Sequence, residues 1–285
     1  MTTEHARQFI EGQRQDWNRV AGAWEKWDGL FEEQTGYLNH RLVGDARIRS
    51  GHAILDLGSG TGYPALVAAQ AVGPSGSVIG LDLAADMLAV AERKAQRLGV
   101  TNVAFRTGDA WMLRFDGAAF DAVISRFCLM FLPDVSKAVG EIARVLKPGR
   151  WFSAMVWSSA EGNPAVGLSM AAVKQVIDVP PPDPTAPGIF RLAKAGELAG
   201  MVQEAGLDNV SDHEFLAERS YDSVEQYYTS LMEIAAPIQN LMAPLSDRQR
   251  QEVKQLILEG ASRYRRAERI SIPIAVRVVV GHKPG

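Results

Sequence analysis

Residues 53–62, Ala-Ile-Leu-Asp-Leu-Gly-Ser-Gly-Thr-Gly, constrain the fold more than any other stretch of the chain. Residues 53–57 form a short apolar run that reads as a strand buried on both faces. It runs straight into a glycine-rich turn, and a helix is expected to open near Tyr63. Gly58, Gly60 and Gly62 stand at alternate positions. Without Cβ atoms they allow a tight turn and a close approach of backbone to a ligand. Asp56 falls at the carboxyl end of the strand, where it can accept hydrogen bonds from a cation. Twenty residues past Gly62 a second strand, residues 77–81, ends in Asp82. An acidic side chain there is placed to take both hydroxyls of a ribose.

The chain has 285 residues, 47% of them hydrophobic, enough for one large domain or a domain with a substantial cap. Its net charge of −3 gives no electrostatic case for nucleic acid or an anionic membrane. The single cysteine, Cys128, excludes intrachain disulfides and a cysteine-rich metal site, so no metal is expected and a cytoplasmic setting is the default. The N-terminus is polar and lacks a secretory apolar region. Residues 57–81 carry no charge, but their glycines and prolines break any membrane span, so no membrane insertion is expected.

Residues 1–50 read as an N-terminal helical cap. A helix over 8–31 presents Trp17, Val20, Ala21, Trp24, Trp27 and Phe31 as one wide aromatic face. Gly36 interrupts it, and Tyr37, Leu38, Leu42 and Val43 start a second helix. The face is explained by packing against the domain, or by a lid over an aromatic-walled pocket. From residue 53 strands alternate with amphipathic helices: strands at 53–57, 77–81, 102–107, 120–125 and 151–157, and helices at 63–72, 85–98 and from Asp134. That alternation means right-handed crossovers and a parallel sheet. Residues 51–285 form the rest, with helical insertions at about 160–205 and 222–268. The proline-rich stretch 178–188 reads as a stiff loop. Helices are expected at about 222–236 and 246–268, before a last strand at 270–280 whose Pro273 suggests an edge or a bulge. The arginines at 263, 265, 266 and 269 read as a solvated helix end.

The glycine spacing separates two classes of binding loop. The dinucleotide fingerprint, Gly-x-Gly-x-x-Gly, puts its third glycine one residue later than here. This chain has Gly-x-Gly-x-Gly with an acidic residue two positions before the first. With Leu55-Asp-Leu-Gly-Ser-Gly-Thr-Gly62 come Gly80-Leu-Asp-Leu83, Gly108-Asp-Ala110, Phe120-Asp-Ala-Val-Ile-Ser-Arg126 and Arg144-Val-Leu-Lys-Pro-Gly149. In this order they resemble the class I S-adenosylmethionine (SAM)-dependent methyltransferases, the UbiE-like branch in particular. The resemblance covers roughly residues 45–160. It implies an α/β, Rossmann-like, seven-stranded sheet of order 3-2-1-4-5-7-6, with strand 7 antiparallel.

The resemblance also implies site residues. Gly58, Gly60 and Gly62 would pass under the methionine part of SAM, and Asp56 would help hold its amino group. Asp82 would take the ribose hydroxyls, with Leu83 and Met87 flanking the adenosine. Asp109 would accept from the adenine amino group, and Ala110 would offer its N–H. Ser125 and Arg126 would face the methionine end. Trp24 falls where relatives have a tyrosine near the cofactor. Arg150 replaces a second glycine, so its φ must be negative or the residue strained. Ala84 replaces a serine cap.

A sulfonium is already activated, so alignment and a dry site matter more than a strong acid or base. If a base is needed, His40 and Tyr37 are the candidates. Phe127, Met130, Phe131 and Trp157 are candidates for an acceptor pocket, or for plain core. DNA amino methylation is argued against by Ser125-Arg-Phe-Cys128 after the fourth strand. Arsenic methylation uses several cysteines, and this chain has one. What remains is methyl transfer to a small, largely apolar or aromatic acceptor, leaving S-adenosylhomocysteine (SAH). The alternative is a SAM- or SAH-binding sensor or scaffold without methyl transfer. A nicotinamide oxidoreductase is disfavoured by the glycine spacing.

Overall fold

The computed structural model describes residues 3–179 and 186–285, with side chains from residue 7 onward. Residues 180–185, within the expected proline-rich loop, lie outside the described residues. Helix α1 (Thr3–Thr35) leads through Gly36 into α2 (Tyr37–Asp45). The alternating units follow: β1 (Ala53–Leu57), α3 (Ala65–Val72), β2 (Ser77–Asp82), α4 (Ala85–Leu98), β3 (Val103–Thr107), β4 (Phe120–Arg126), α5 (Val135–Val145) and β5 (Leu146–Trp157). Then come α6 (Pro164–Val176), α7 (Glu197–Glu204), β6 (Asp208–Tyr221), α8 (Val224–Ile234), α9 (Ala236–Met242), α10 (Asp247–Ser262), β7 (Arg265–Arg266) and β8 (Arg269–His282).

One sheet runs β3-β2-β1-β4-β5-β8-β6, with the two-residue β7 beside β8. Without β7 this is the expected order, and β8 is antiparallel to both β5 and β6. Central strands such as β1 and β4 are buried almost throughout, as apolar runs covered on both faces should be. Gly99 closes α4 in the left-handed conformation, Asp134 caps α5 through Lys137 N, and Ser246 with Gln249 forms a capping box on α10. The φ of Arg150 is not positive, as its place after Gly149 required.

Two local expectations are corrected. The helix read over 246–268 stops at Ser262, and the chain turns back in a β7–β8 hairpin through Ala267 at φ 51°. Arg265 and Arg266 therefore sit on a strand, while Arg269 meets Asp222 at 2.9 Å. Pairing with β8 outweighs the helix-forming composition of this stretch. Pro273 lies in an interior strand, but in a gap between the Arg265–Ile270 and Trp157–Val276 pairs. Nearby, the Asn163 side chain takes over β5's role, accepting from Ala275 N and donating to Ala275 O.

Helix α1 lies over the carboxyl end of the sheet, between α4 and the α8–α9 pair. Val20 and Ala21 pack on Ala84, Met87 and Ala236. On one flank Lys94 Nζ meets Asp28 Oδ1 at 2.5 Å, with the lysine 3% exposed. On the other, Lys26 and Trp27 both bind Glu233. Gln34 pairs with the backbone of Ser220, fixing the end of α1 to β6. No helix among the described residues is long and apolar enough to cross a membrane. Asp28→Ala strands a buried ammonium, so it is expected to lower stability by about 3 kcal/mol or more in urea unfolding. Lys94→Met in the same chain should recover most of that loss.

Candidate functional site

The turn after β1 is tied to the end of β2. Gly58 N and Ser59 N both donate to Leu81 O, at 2.8 and 3.0 Å, and Gly60 N donates to Asp82 Oδ2 at 2.8 Å. The other oxygen, Asp82 Oδ1, accepts from Ala84 N at 2.9 Å and so caps the approach to α4. Gly58, at φ 72°, is required by its neighbour: a Cβ there would lie 2.3 Å from Cys128 Cβ. Gly60, at φ 52°, is different, because a Cβ there would meet nothing within 4 Å. The backbone at Gly60 thus borders open space.

Asp56 is wholly buried at the end of β1. Its Oδ2 accepts from Ala65 N at 3.0 Å, so the helix opens at Ala65 rather than Tyr63, with this carboxylate near its first turn. Its Oδ1 makes no well-formed hydrogen bond, although the Ser59 hydroxyl lies near enough to the carboxyl to favour its ionised form. Burial pushes the Asp56 carboxyl up to about 7. Burial also raises Asp82, against the backbone N–H groups that it accepts from. Ser59 Oγ and Trp24 Nε1 are likewise buried without partners. Orphaned buried acceptors and donors of this kind cost stability and call for a ligand or water.

Around this centre, Met87 is buried under α1, Leu83 is half-buried, and Ala110 belongs to the core. Both oxygens of Asp109 accept from Trp111, from its backbone N–H and its indole N–H, so an adenine amino group would share that carboxylate. Ser125 Oγ donates to Leu57 O at 3.0 Å, holding β4 to β1. Arg126 Nη1 donates to Asn39 Oδ1 at 2.6 Å, and Asn39 Nδ2 donates to Glu32 Oε2 at 3.1 Å. Burial and the Arg219 guanidinium bring Arg126 down to about 10, while burial raises Glu32.

A ladder of rings and guanidinium groups crosses the carboxyl edge of the sheet. Trp24 and Phe31 of α1 lie 5.5 Å apart. Arg219 of β6 stands 4.8 Å from the Phe31 ring and 5.7 Å from that of Trp157. Trp157 stacks on Phe127 at 4.4 Å with 7° between planes, and Arg126 lies 5.6 Å from Phe127. Phe131 packs edge-on against Trp17 at 5.6 Å, whereas Met130 is sealed in the core. Asn39, Glu32 and Arg219 were not among the candidates read from the sequence. Phe31 was visible only as one member of the aromatic face. For Arg219 no local signal existed, because its neighbours come from distant elements.

His40 and Tyr37 are both exposed, Tyr37 by 45%, and Tyr37 packs on Phe215 at 6.2 Å. The buried face of α2 presents Leu38, Asn39, Leu42 and Val43 instead. Among the described contacts, neither candidate base touches the Asp56–Asp82–Arg126 group. No cluster of three or more metal-ligating side chains occurs among the described residues.

The donors and acceptors left over fit SAM. A free buried carboxylate oxygen suits an ammonium, Asp82 keeps lone pairs for hydroxyls, and the space over Gly60 admits a ligand. Residues 54–149 match the family described as "Methyltransferase domain". An arsenite methyltransferase of Aquipseudomonas alcaligenes is 40% identical over 125 residues, covering 41% of this chain and 36% of that protein. A demethylmenaquinone methyltransferase of Staphylococcus carnosus is 39% identical over 117 residues, 41% of this chain and 48% of that protein. The chain thus spans less than half the length of these two relatives. A solved phosphoethanolamine N-methyltransferase of Haemonchus contortus, bound to phosphomonomethylethanolamine and S-adenosylhomocysteine, superposes with a TM-score of 0.62 at 19% identity, over 95% of this chain and 60% of that one. At that identity it shows the shared fold.

The raised Asp56 carboxyl has a consequence for pH. A folded-state value above the unfolded one stabilises the unliganded protein at low pH, and that contribution is lost as pH rises through about 7. An ammonium ligand favours the ionised form instead. Affinity for SAH should therefore rise between pH 6 and pH 8, with about half a proton released per site at pH 7. Calorimetry in two buffers of different ionisation enthalpy measures that release, and Asp56→Asn should abolish it.

Proposed function

Because the chain carries a class I S-adenosylmethionine-dependent methyltransferase domain, we propose that it transfers a methyl group to a small acceptor with an apolar or aromatic body. The observation that carries this reading is the buried Asp56, with one oxygen left without a partner, at the start of a turn whose backbone borders open space at Gly60, and with Asp82 at the next strand end. When bound, SAM supplies a methyl group on a sulfonium, which leaves by in-line displacement.

The chain's own residues supply position and dryness. Asp56 Oδ1 would receive the amino group, and the backbone from Gly58 to Gly62 would support the methionine part. Asp82 keeps free lone pairs for the ribose hydroxyls while its other contacts hold Gly60 and Ala84 in place. Leu83 and Met87 would flank the adenosine, and Asp109 with Ala110 would meet the adenine edge. Helix α1, through Trp17, Val20, Ala21 and Trp24, excludes water from that side. Displacement at an activated carbon gains most from alignment and desolvation, so an exposed His40 or Tyr37 is not required for it. Phe127, Trp157 and Phe31 offer aromatic walls to the acceptor.

The two relatives act on different acceptors by name, arsenite and demethylmenaquinone. This chain has one thiol, Cys128, and burial raises it well above its ordinary range, which is poor chemistry for capturing a thiophilic metalloid. An aromatic acceptor suits the stacked Phe127–Trp157 pair better.

Calorimetric titration with SAM and SAH tests the reading. Micromolar binding is expected, weakened ~10-fold or more by Asp82→Ala, about 1.4 kcal/mol or more. The same variant should lose about 1–2 kcal/mol of stability, since Gly60 N and Ala84 N lose their acceptor. If the wild type binds neither compound at millimolar concentration, the proposal is wrong. Formation of SAH from SAM with any acceptor separates transfer from binding alone.

A further inference from the structure

Among the described residues, Arg219 is a cation without an ion-pair partner. It stands on the stretch of β6 that outruns β5: Arg219 pairs with Ile272, whereas β5 pairing ends at Val276. Phe31 and Trp157 lie against the guanidinium, at 4.8 and 5.7 Å. Ring contacts of this kind steady a guanidinium while leaving its in-plane N–H donors unsatisfied. Arg219 Nε is buried and makes no hydrogen bond. The carboxylates nearby are committed elsewhere. Asp28 is held by Lys94, Asp222 by Arg269, and Glu218 lies 3.8 Å from Arg266. Glu32 binds Asn39, on the Arg126 side. Of the two guanidinium groups on this edge, Arg126 has the Glu32 charge near it.

The strand that carries Arg219 is set apart from the cofactor loop. Four strand spacings separate β6 from β1 in the sheet, ~19 Å at ~4.8 Å per step. Between them stands the Trp157–Phe127 stack. The rings beside the Arg219 guanidinium, Phe31 and Trp157, are those read above as aromatic walls for the acceptor.

We propose that the methyl acceptor is an anion: an aromatic or apolar body carrying a carboxylate, which docks on the in-plane donors of Arg219 while its body lies against Phe31 and Trp157. This inference rests on the methyltransferase reading, and it assigns that site a substrate class. A carboxylate satisfies the buried Nε and a second N–H together, as planar two-point recognition by arginine does. It also places negative charge near Arg126 and a bound sulfonium, which favours a ternary complex over a neutral analogue.

The test uses the full chain saturated with SAH. Benzoate, 3-phenylpropanoate and 1-naphthoate are titrated calorimetrically beside their primary amides. At least one carboxylate should bind ~10-fold or more tightly than its amide, with SAH affinity retained in the variants. Arg219→Gln should remove that preference, and Arg219→Lys should keep part of it. Amides binding as well as acids, or no acid binding up to ~10 mM, overturns the inference even if the Gln variant fails to fold. So does a Gln variant that keeps the preference. A Gln variant that loses SAH affinity by the same factor assigns the guanidinium to the cofactor instead, which also overturns it. If SAH itself fails to bind the wild type, the methyltransferase reading falls first, and this inference with it.

Discussion

At the end of β1 the chain must reverse into a helix between two neighbouring strands, with its peptide groups cut off from water. Their hydrogen bonds have to be made inside the protein. Leu81 O takes two N–H groups from the turn, Asp82 takes the third, and Asp56 takes the first free N–H of α3. Each acidic residue therefore has a structural duty before it has any ligand. Because the loop is held by β2 and α3, its free groups are fixed in advance: Asp56 Oδ1, Ser59 Oγ and the bare backbone at Gly60. A site of this kind needs little reorganisation to bind, which is the condition for alignment to count.

The second requirement is a cover. Helix α1 is fastened from both sides, but its fastenings differ in kind. Arg93–Glu25 and Lys26–Glu233 are exposed pairs, and such pairs contribute little. Lys94–Asp28 is buried, and its main effect is to fix where α1 can lie, because either charge alone is costly there. With α1 so placed, Trp24 and Phe31 join Arg219, Trp157, Phe127 and Arg126 in one ladder. The cover and the pocket wall are thus the same helix.

Much of the fold was legible because its signals are local. Short apolar runs and helical stripes between residues 53 and 157 gave the alternation, and hence the parallel core of the sheet. The acidic ends of β1 and β2 were legible too, since strand ends follow from the same runs. Local reading failed where two states compete closely. Residues 263–269 carry helix-forming arginines and a glutamate, yet they form a hairpin because β8 offers an edge. On α2, sequence alone favoured the reactive groups of Tyr37 and His40, while packing turned Asn39 inward.

By itself, the sequence determined the turn chemistry, the alternation of strands and helices and the position of two carboxylates, because glycine conformations and hydrophobic patterns act over a few residues; the order of the strands was what the family resemblance implied. Tertiary structure alone decided what surrounds those groups. Gln34 and Ser220 are 186 residues apart in the chain, yet their contact holds the end of α1 to β6 beside Arg219. Packing then buried Asp56 with one oxygen unpartnered, which raises its carboxyl, and left Arg219 Nε without an acceptor. Desolvation depends on every element packed around a group, so no single stretch of sequence encodes it.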